Sequence, residues 1–278
     1  MSLNNKAWKR ISLGAVTLVS AAVLTACGGG SSTTSSSKDE INWYLPTEIS
    51  TLDISKVTDT YSSIAIGNSG SNLLRRDKNG DLQPDLAAKD IEVSDDGLTY
   101  TATLRDNLKW SDGSDLTAED FVYTWQRIVD PKTASEYAYL VSDAHVLNAE
   151  EVINGTKSVD ELGVKADGNK VIFTLSSPSP QFMSLLSFTN FMPQSKAFVE
   201  KTGDDYGTSS DKALYSGPYT VKDWNGTNGT FTLVKNKYYW DVKDVKNEKV
   251  NIQTIKKPDT AVQMYKDGQL DTASISGT

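Results

Sequence analysis

Three stretches of alternating residues, each carrying an Asx–Gly pair, constrain this chain more than any other feature. "IEVSDDGLTYTATL" (91–104) alternates on both sides of Asp96-Gly97, a two-residue turn signal. "VKADGNKVIFTLSS" (164–177) does so around Asp167-Gly168, and "GPYTVKDWNGTNGTFTLVKN" (217–236) repeats the pattern with two Asn-Gly pairs. Alternation sends successive side chains to opposite faces of a strand, and the Gly supplies the positive φ of a tight reversal. Each stretch therefore predicts an antiparallel hairpin with one buried face.

Between the first two hairpins the period changes. "LTAEDFVYTWQRIVDP" (116–131) predicts a helix: Thr117 is a natural N-cap, Asp120 sits near N3, and Asp130-Pro131 stops it. Phe121, Val122, Trp125, Ile128 and Val129 form its apolar stripe. Shorter helices are predicted over "AEEVINGT" (149–156), "PQFMSLLSF" (180–188) and "SKAFVEKTG" (195–203), and a strand over "INWYL" (41–45). The last segments, "KVNIQTI" (249–255), "DTAVQMYKDG" (259–268) and "QLDTASIS" (269–276), read as strand, helix and strand. The fold class is mixed α/β, with no internal repeat.

The amino-terminal segment follows different rules. Lys6, Lys9 and Arg10 precede an apolar run, Ile11 to Leu24, that suits a signal-peptide core and is short for a membrane span. It ends in Leu24-Thr25-Ala26-Cys27, which resembles the bacterial lipobox. Cys27 is the one cysteine of the chain, so no intramolecular disulfide is possible. The expectation is a signal peptide over 1–26, lipidation at Cys27, and a Gly/Ser/Thr tether over 27–40 that cannot bury enough apolar surface to fold. Two or three acyl chains, at about 0.8 kcal/mol per buried CH₂, would hold the domain on a membrane. Without the three basic residues of the signal, 25 Lys+Arg stand against 36 Asp+Glu, a net charge of −11. Such a balance argues against a nucleic-acid partner.

Several motifs fail on inspection. Asp77, Asn79 and Asp81 open like a calcium loop, but Leu82 and Ala88 stand where Gly and Glu are required, which leaves a turn. Asn154, Asn225 and Asn228 begin N-G-T triplets that read as turns. His145 is the single histidine, so any His-based metal site or Ser-His-Asp triad would have to be built around that one residue, which reads as a surface or packing residue. No nucleophile–base pair or phosphate-cradling loop is present. The residues read as a binder rather than an enzyme, with no cofactor or metal.

The long segment "LKWSDGSDLTAEDFVYTWQRIVDPKTASEYAYL" (108–140) resembles the solute-binding proteins of bacterial oligopeptide ABC importers, the peptide/nickel-binding superfamily. So do residues 82–107, 162–180, "SGPYTVKDW" (216–224) and 238–255, in order along the chain. The resemblance implies two α/β lobes closing over a peptide. Residues 41–70 and 195–278 would form the core of lobe I, and 71–194 a subdomain inserted in it. Lobe II would follow; the sequence reaches Thr278 near that crossover, so lobe II is expected to be absent. The implied function is capture of oligopeptides for the permease subunits of an importer, at the extracytoplasmic face of the membrane. A signalling-peptide or nickel receptor on the same scaffold, or an extracellular enzyme or adhesin with the same anchor, stays open.

By the same resemblance, Thr58, Asp59 and Thr60 match a ligand-side strand, and Tyr137 a ligand-contacting tyrosine. Phe188 falls where some members carry a pocket histidine. Read from the residues alone, 58–60 could equally be a surface loop, and Tyr137 a helix-end packing residue.

Overall fold

The computed structural model describes residues 39–274; the predicted signal, Cys27 and most of the tether lie outside them. The elements are β1 (Glu40–Leu45), α1 (Thr60–Ser69), β2 (Leu74–Arg76), β3 (Leu82–Pro84), β4 (Glu92–Val93) and β5 (Thr99–Thr103). Then come α2 (Ala118–Val129), α3 (Tyr139–Asp143), α4 (Ala149–Ile153), β6 (Val164–Asp167) and β7 (Lys170–Thr174). The rest are α5 (Phe182–Leu185), α6 (Lys196–Thr202), β8 (Tyr219–Lys222), β9 (Thr230–Lys235), β10 (Lys249–Thr254) and α7 (Pro258–Lys266).

All three hairpins form: β4–β5, β6–β7 and β8–β9 are antiparallel. Their loops differ from the expectation in detail. In the first, Val93 pairs with Tyr100 and Ser94 N–H reaches Thr99 C=O at 2.9 Å, which leaves a four-residue loop rather than a two-residue one. The Asp96 carboxylate accepts Leu98 N–H at 3.0 Å and stabilises the longer reversal. In the second, Asp167 pairs with Lys170, so the loop is Gly168-Asn169, with Gly168 at φ +59°.

Two four-stranded sheets result, ordered β1-β10-β9-β8 and β4-β5-β7-β6, beside a two-stranded β2-β3 ribbon. In the first, β1 runs parallel to β10, with Glu40 opposite Lys249. Its inner face packs with α1 around Leu45, Val57, Ile66, Trp224 and Leu233. The second sheet buries its face under α2, whose Phe121, Trp125, Ile128 and Val129 are all essentially inaccessible to solvent. Val122 on the same stripe is half-buried. The Asp120 carboxylate accepts Thr117 N–H at 2.9 Å, as the cap reading requires.

Three expectations need correction. The helix over 180–188 shrinks to one turn, Phe182–Leu185, because Phe182, Leu185 and Leu186 are drawn into the aromatic core. Residues 269–274 form no strand: Leu270 is buried, and Asp271 bonds to Asn42 through both its N–H and its carboxylate instead of continuing a ladder. The third concerns 58–60 and belongs with the site.

Candidate functional site

Thr58 to Thr60 are not a strand. Thr60 opens α1, and Asp59 is its N-cap, whose Oδ1 accepts Ser62 N–H at 2.7 Å. Its Oδ2 accepts the Ser50 hydroxyl at 2.7 Å. Burial tends to raise the Asp59 pKa, but the hydrogen bonds from Ser62 and Ser50 outweigh it and hold the carboxyl below its usual range. Both oxygens are thus spent inside the protein. Thr58 and Thr60 are exposed. The Thr58 N–H and C=O have no partner among the described residues.

Buried side chains hold this exposed ledge. Asp53 accepts Ser55 N–H on Oδ1 at 3.0 Å, and its C=O accepts Lys56 and Val57 N–H, which closes the turn before Thr58. The Asn190 amide donates to Ile54 C=O at 2.9 Å and to Val57 C=O at 3.0 Å. Arg127, from α2, meets Asp53 as a bidentate pair at 2.6 and 2.8 Å, and also donates to Gln194 Oε1 at 2.9 Å. Gln194 Nε2 in turn donates to the Ser55 hydroxyl at 2.8 Å. Tyr206 lies over the guanidinium at 5.3 Å, and burial raises its pKa, so the phenol stays protonated. With the Arg127 and Asp53 side chains 12% and 3% exposed, this is an interior ion pair.

Tyr137 and Phe188 come together. Their rings meet edge to face, 5.6 Å between centroids. Phe188 is 6.2 Å from Phe191, and Phe191 is 4.4 Å from Trp125, so aromatic contact runs from the fully buried core outward. Beyond Tyr137, Tyr139 stacks at 6.5 Å and is 53% exposed. Each such pair contributes about 0.5–1.5 kcal/mol beyond area burial. Asn72 Nδ2 donates to Phe188 C=O at 2.9 Å and fixes the backbone behind the ring. Phe188 precedes a single turn of 3₁₀ helix, Thr189–Phe191, and Asn190 lies within it, which links the aromatic wall to the ledge.

The sequence reading missed Asp53, Arg127, Asn190 and Gln194. One signal was available: an Asn and a Gln within "FTNFMPQ" are polar groups in surroundings that demand a buried partner, whereas Arg127 falls on the helix face opposite the apolar stripe and gave none. The chemistry on offer is a fixed, unpaired backbone segment beside an apolar aromatic wall. His145 lies elsewhere and is exposed.

Residues 81–278 match the family model for the bacterial extracellular solute-binding proteins, family 5. The chain is 45% identical over 274 residues to a dipeptide-binding protein of Lactococcus lactis subsp. cremoris, covering 97% of this chain and 48% of that one. Among solved structures it is similar to Listeria monocytogenes OppA bound to peptide (TM-score 0.82, 36% identity, 85% of this chain and 46% of that one). It is also similar to the pheromone receptor PrgZ (TM-score 0.83, 36% identity, 87% of this chain and 48% of that one). The chain therefore spans about half the length of the relatives it matches. On the family match and the shared fold, this chain belongs to the family 5 bacterial extracellular solute-binding proteins.

Proposed function

We propose that this chain binds oligopeptides outside the bacterial cytoplasm, anchored by lipid at Cys27, and passes them to the membrane subunits of an ABC importer. The observation that carries the reading is the ledge at Thr58: a backbone donor and acceptor left unpaired, on a turn fixed by Asp53 and Asn190. Backbone pairing gives affinity that depends little on peptide sequence, and the Tyr137–Phe188 wall offers a tolerant apolar surface for side chains. In this reading residues 41–70 and 195–278 form the core of lobe I and 71–194 its insertion. Strand membership supports that division, since β1, β8, β9 and β10 share one sheet while β4 to β7 share the other.

A second reading is a receptor for one signalling peptide. The similarity to PrgZ and the exposed Tyr139 and Phe188 rings, with half-buried Tyr137 between them, favour it. Calorimetry with a mixed oligopeptide library separates the two. Broad binding without turnover supports the transport reading, binding confined to one hydrophobic peptide supports the receptor, and hydrolysis that survives repurification overturns both. The anchor is tested apart from the ligand: Cys27→Ala should release the protein from the membrane fraction or leave the precursor uncleaved. Unchanged detergent-dependent partitioning of that variant would refute lipidation.

A further inference from the structure

Four Asn-Gly pairs lie among the described residues, beginning at Asn79, Asn154, Asn225 and Asn228, all outside the named helices and strands. An Asn amide can be attacked at Cγ by the next backbone nitrogen, and a following Gly offers no Cβ to hinder that approach. The fold treats the four nitrogens differently. Gly80 N–H donates to Asp77 C=O at 3.0 Å, and Gly155 N–H donates to Val152 C=O at 2.9 Å. Attack there would first have to break a turn hydrogen bond. The N–H groups of Gly226 and Gly229 have no partner among the described residues.

Asn225 and Asn228 then separate at the side chain. Asn228 Nδ2, the group that would leave, donates to Asp223 C=O and Thr230 C=O, each at 2.6 Å, and is held in place. Asn225 Nδ2 has no partner among the described residues, and the residue is exposed. Its Oδ1 accepts Thr227 N–H at 3.1 Å, the Thr227 hydroxyl at 3.2 Å and Asn228 N–H at 3.0 Å. Two backbone donors therefore already face the oxygen on which negative charge would develop. Asn228 Oδ1 accepts one, Asn225 N–H, at 2.8 Å.

We propose that Asn225 is a self-modification site, the one Asn-Gly pair of the described residues that the fold activates for deamidation. The Gly226 nitrogen gives its proton to solvent and bonds to Asn225 Cγ, with the charge held on Oδ1. The Cγ–Nδ2 bond then breaks, and Nδ2 leaves as ammonia with a proton from water. The resulting succinimide takes up one water. Cleavage of the new bond to Cγ gives aspartate, and cleavage of the original peptide bond gives isoaspartate. Either product puts a negative charge two residues from Asp223. The second also lengthens the main chain where Gly226 presses on Thr208 C=O so closely that a Cβ would stand 2.6 Å from the oxygen.

The test ages the folded 278-residue chain at mildly alkaline pH in heavy-oxygen water and follows all four sites by peptide mass spectrometry. An oxyanion donor is worth about 10²–10³ in a closed enzyme site and less on an exposed loop, so Asn225 should outpace the other three by about tenfold. In denaturant, where only the shared dipeptide remains, the four should react at comparable rates. Asn225→Gln should remove the fast phase from the folded protein. A lead by Asn79, Asn154 or Asn228 in the folded chain, a lead by Asn225 that persists in denaturant, or no product at Asn225 would overturn the proposal.

Discussion

Arg127→Met removes the guanidinium from a pocket that also holds Asp53, and the consequence is calculable. The Asp53 side chain is 3% exposed and takes two hydrogen bonds from Arg127, at 2.6 and 2.8 Å. Methionine fills much of the same volume but leaves that carboxylate charged and without its counter-ion. Breaking a buried pair by removing one partner costs about 3–5 kcal/mol. Gln194 Oε1 loses its donor at the same time. For a domain of this size, 1 kcal/mol moves the melting point by about 2–4 °C, so the variant should melt about 6–20 °C lower. Denaturant titration gives the free energy directly. The double variant Arg127→Met/Asp53→Leu should recover part of the loss, because no lone charge remains, though Ser55 N–H would lose its acceptor. A loss under about 1 kcal/mol for Arg127→Met alone would mean that water reaches Asp53 and that the pair is no interior brace. The magnitude is what separates the two, since exposed pairs are worth only about 0–1 kcal/mol.

Trp125→Ala should cost about 3–5 kcal/mol as a large core deletion. Trp125→Phe should cost under about 1.5 kcal/mol, since the Trp125 Nε1–H is buried without an acceptor and nothing polar is lost; free access of acrylamide to Trp125 would refute the assignment. Asn190→Ala leaves the Ile54 and Val57 carbonyls without their amide donor, so hydrogen exchange at 54–58 should quicken and stability fall by about 2–4 kcal/mol. Exchange unchanged there would show that the turn holds itself. Asp120 has its pKa raised to about 6, because burial disfavours the carboxylate more than the Thr117 and Trp110 hydrogen bonds favour it. The unfolded chain, at about 4, gives up this proton first, so stability falls as pH rises from about 4 to 6 and is level above. Asp120→Asn, which keeps an acceptor for Thr117 N–H, should remove that slope; identical pH–melting curves for the two proteins would refute it.

Legibility in the sequence followed the range of the interaction. Helix α2 could be read from cap to stop because Thr117, Asp120 and the apolar stripe are all local. The hairpins could be read for the same reason, apart from their loops, where Asp96 stabilises a wider turn than its dipeptide suggests. Pairing of β1 with β10 left no local trace, since Glu40 and Lys249 meet only through the whole intervening chain. At 58–60 the strand came from the family resemblance alone, whereas Asp59 ahead of the helix is a local capping signal, and capping prevailed. The brace was hidden because no pattern within a short window connects Asp53, Arg127 and Gln194.

These polar residues also bear on what the site can select. At the ledge, both carboxylates are already engaged, Asp59 by Ser62 and Ser50 and Asp53 by Arg127, while Lys56 is exposed beside them. Apart from Lys56, what the ledge and the wall present is uncharged: the backbone of Thr58 and the rings of Tyr137 and Phe188. A peptide lying here would meet hydrogen-bonding groups that every residue except proline can satisfy, and surfaces that reward size more than identity. Charge discrimination would cost such a site its breadth, because an unpaired buried carboxylate rejects most side chains while favouring a few. The internal pairing of Asp53 therefore does two things at once. It fixes the geometry of the ledge and, on the peptide reading proposed above, would remove from the binding face a charge that imposes a sequence preference on the ligand.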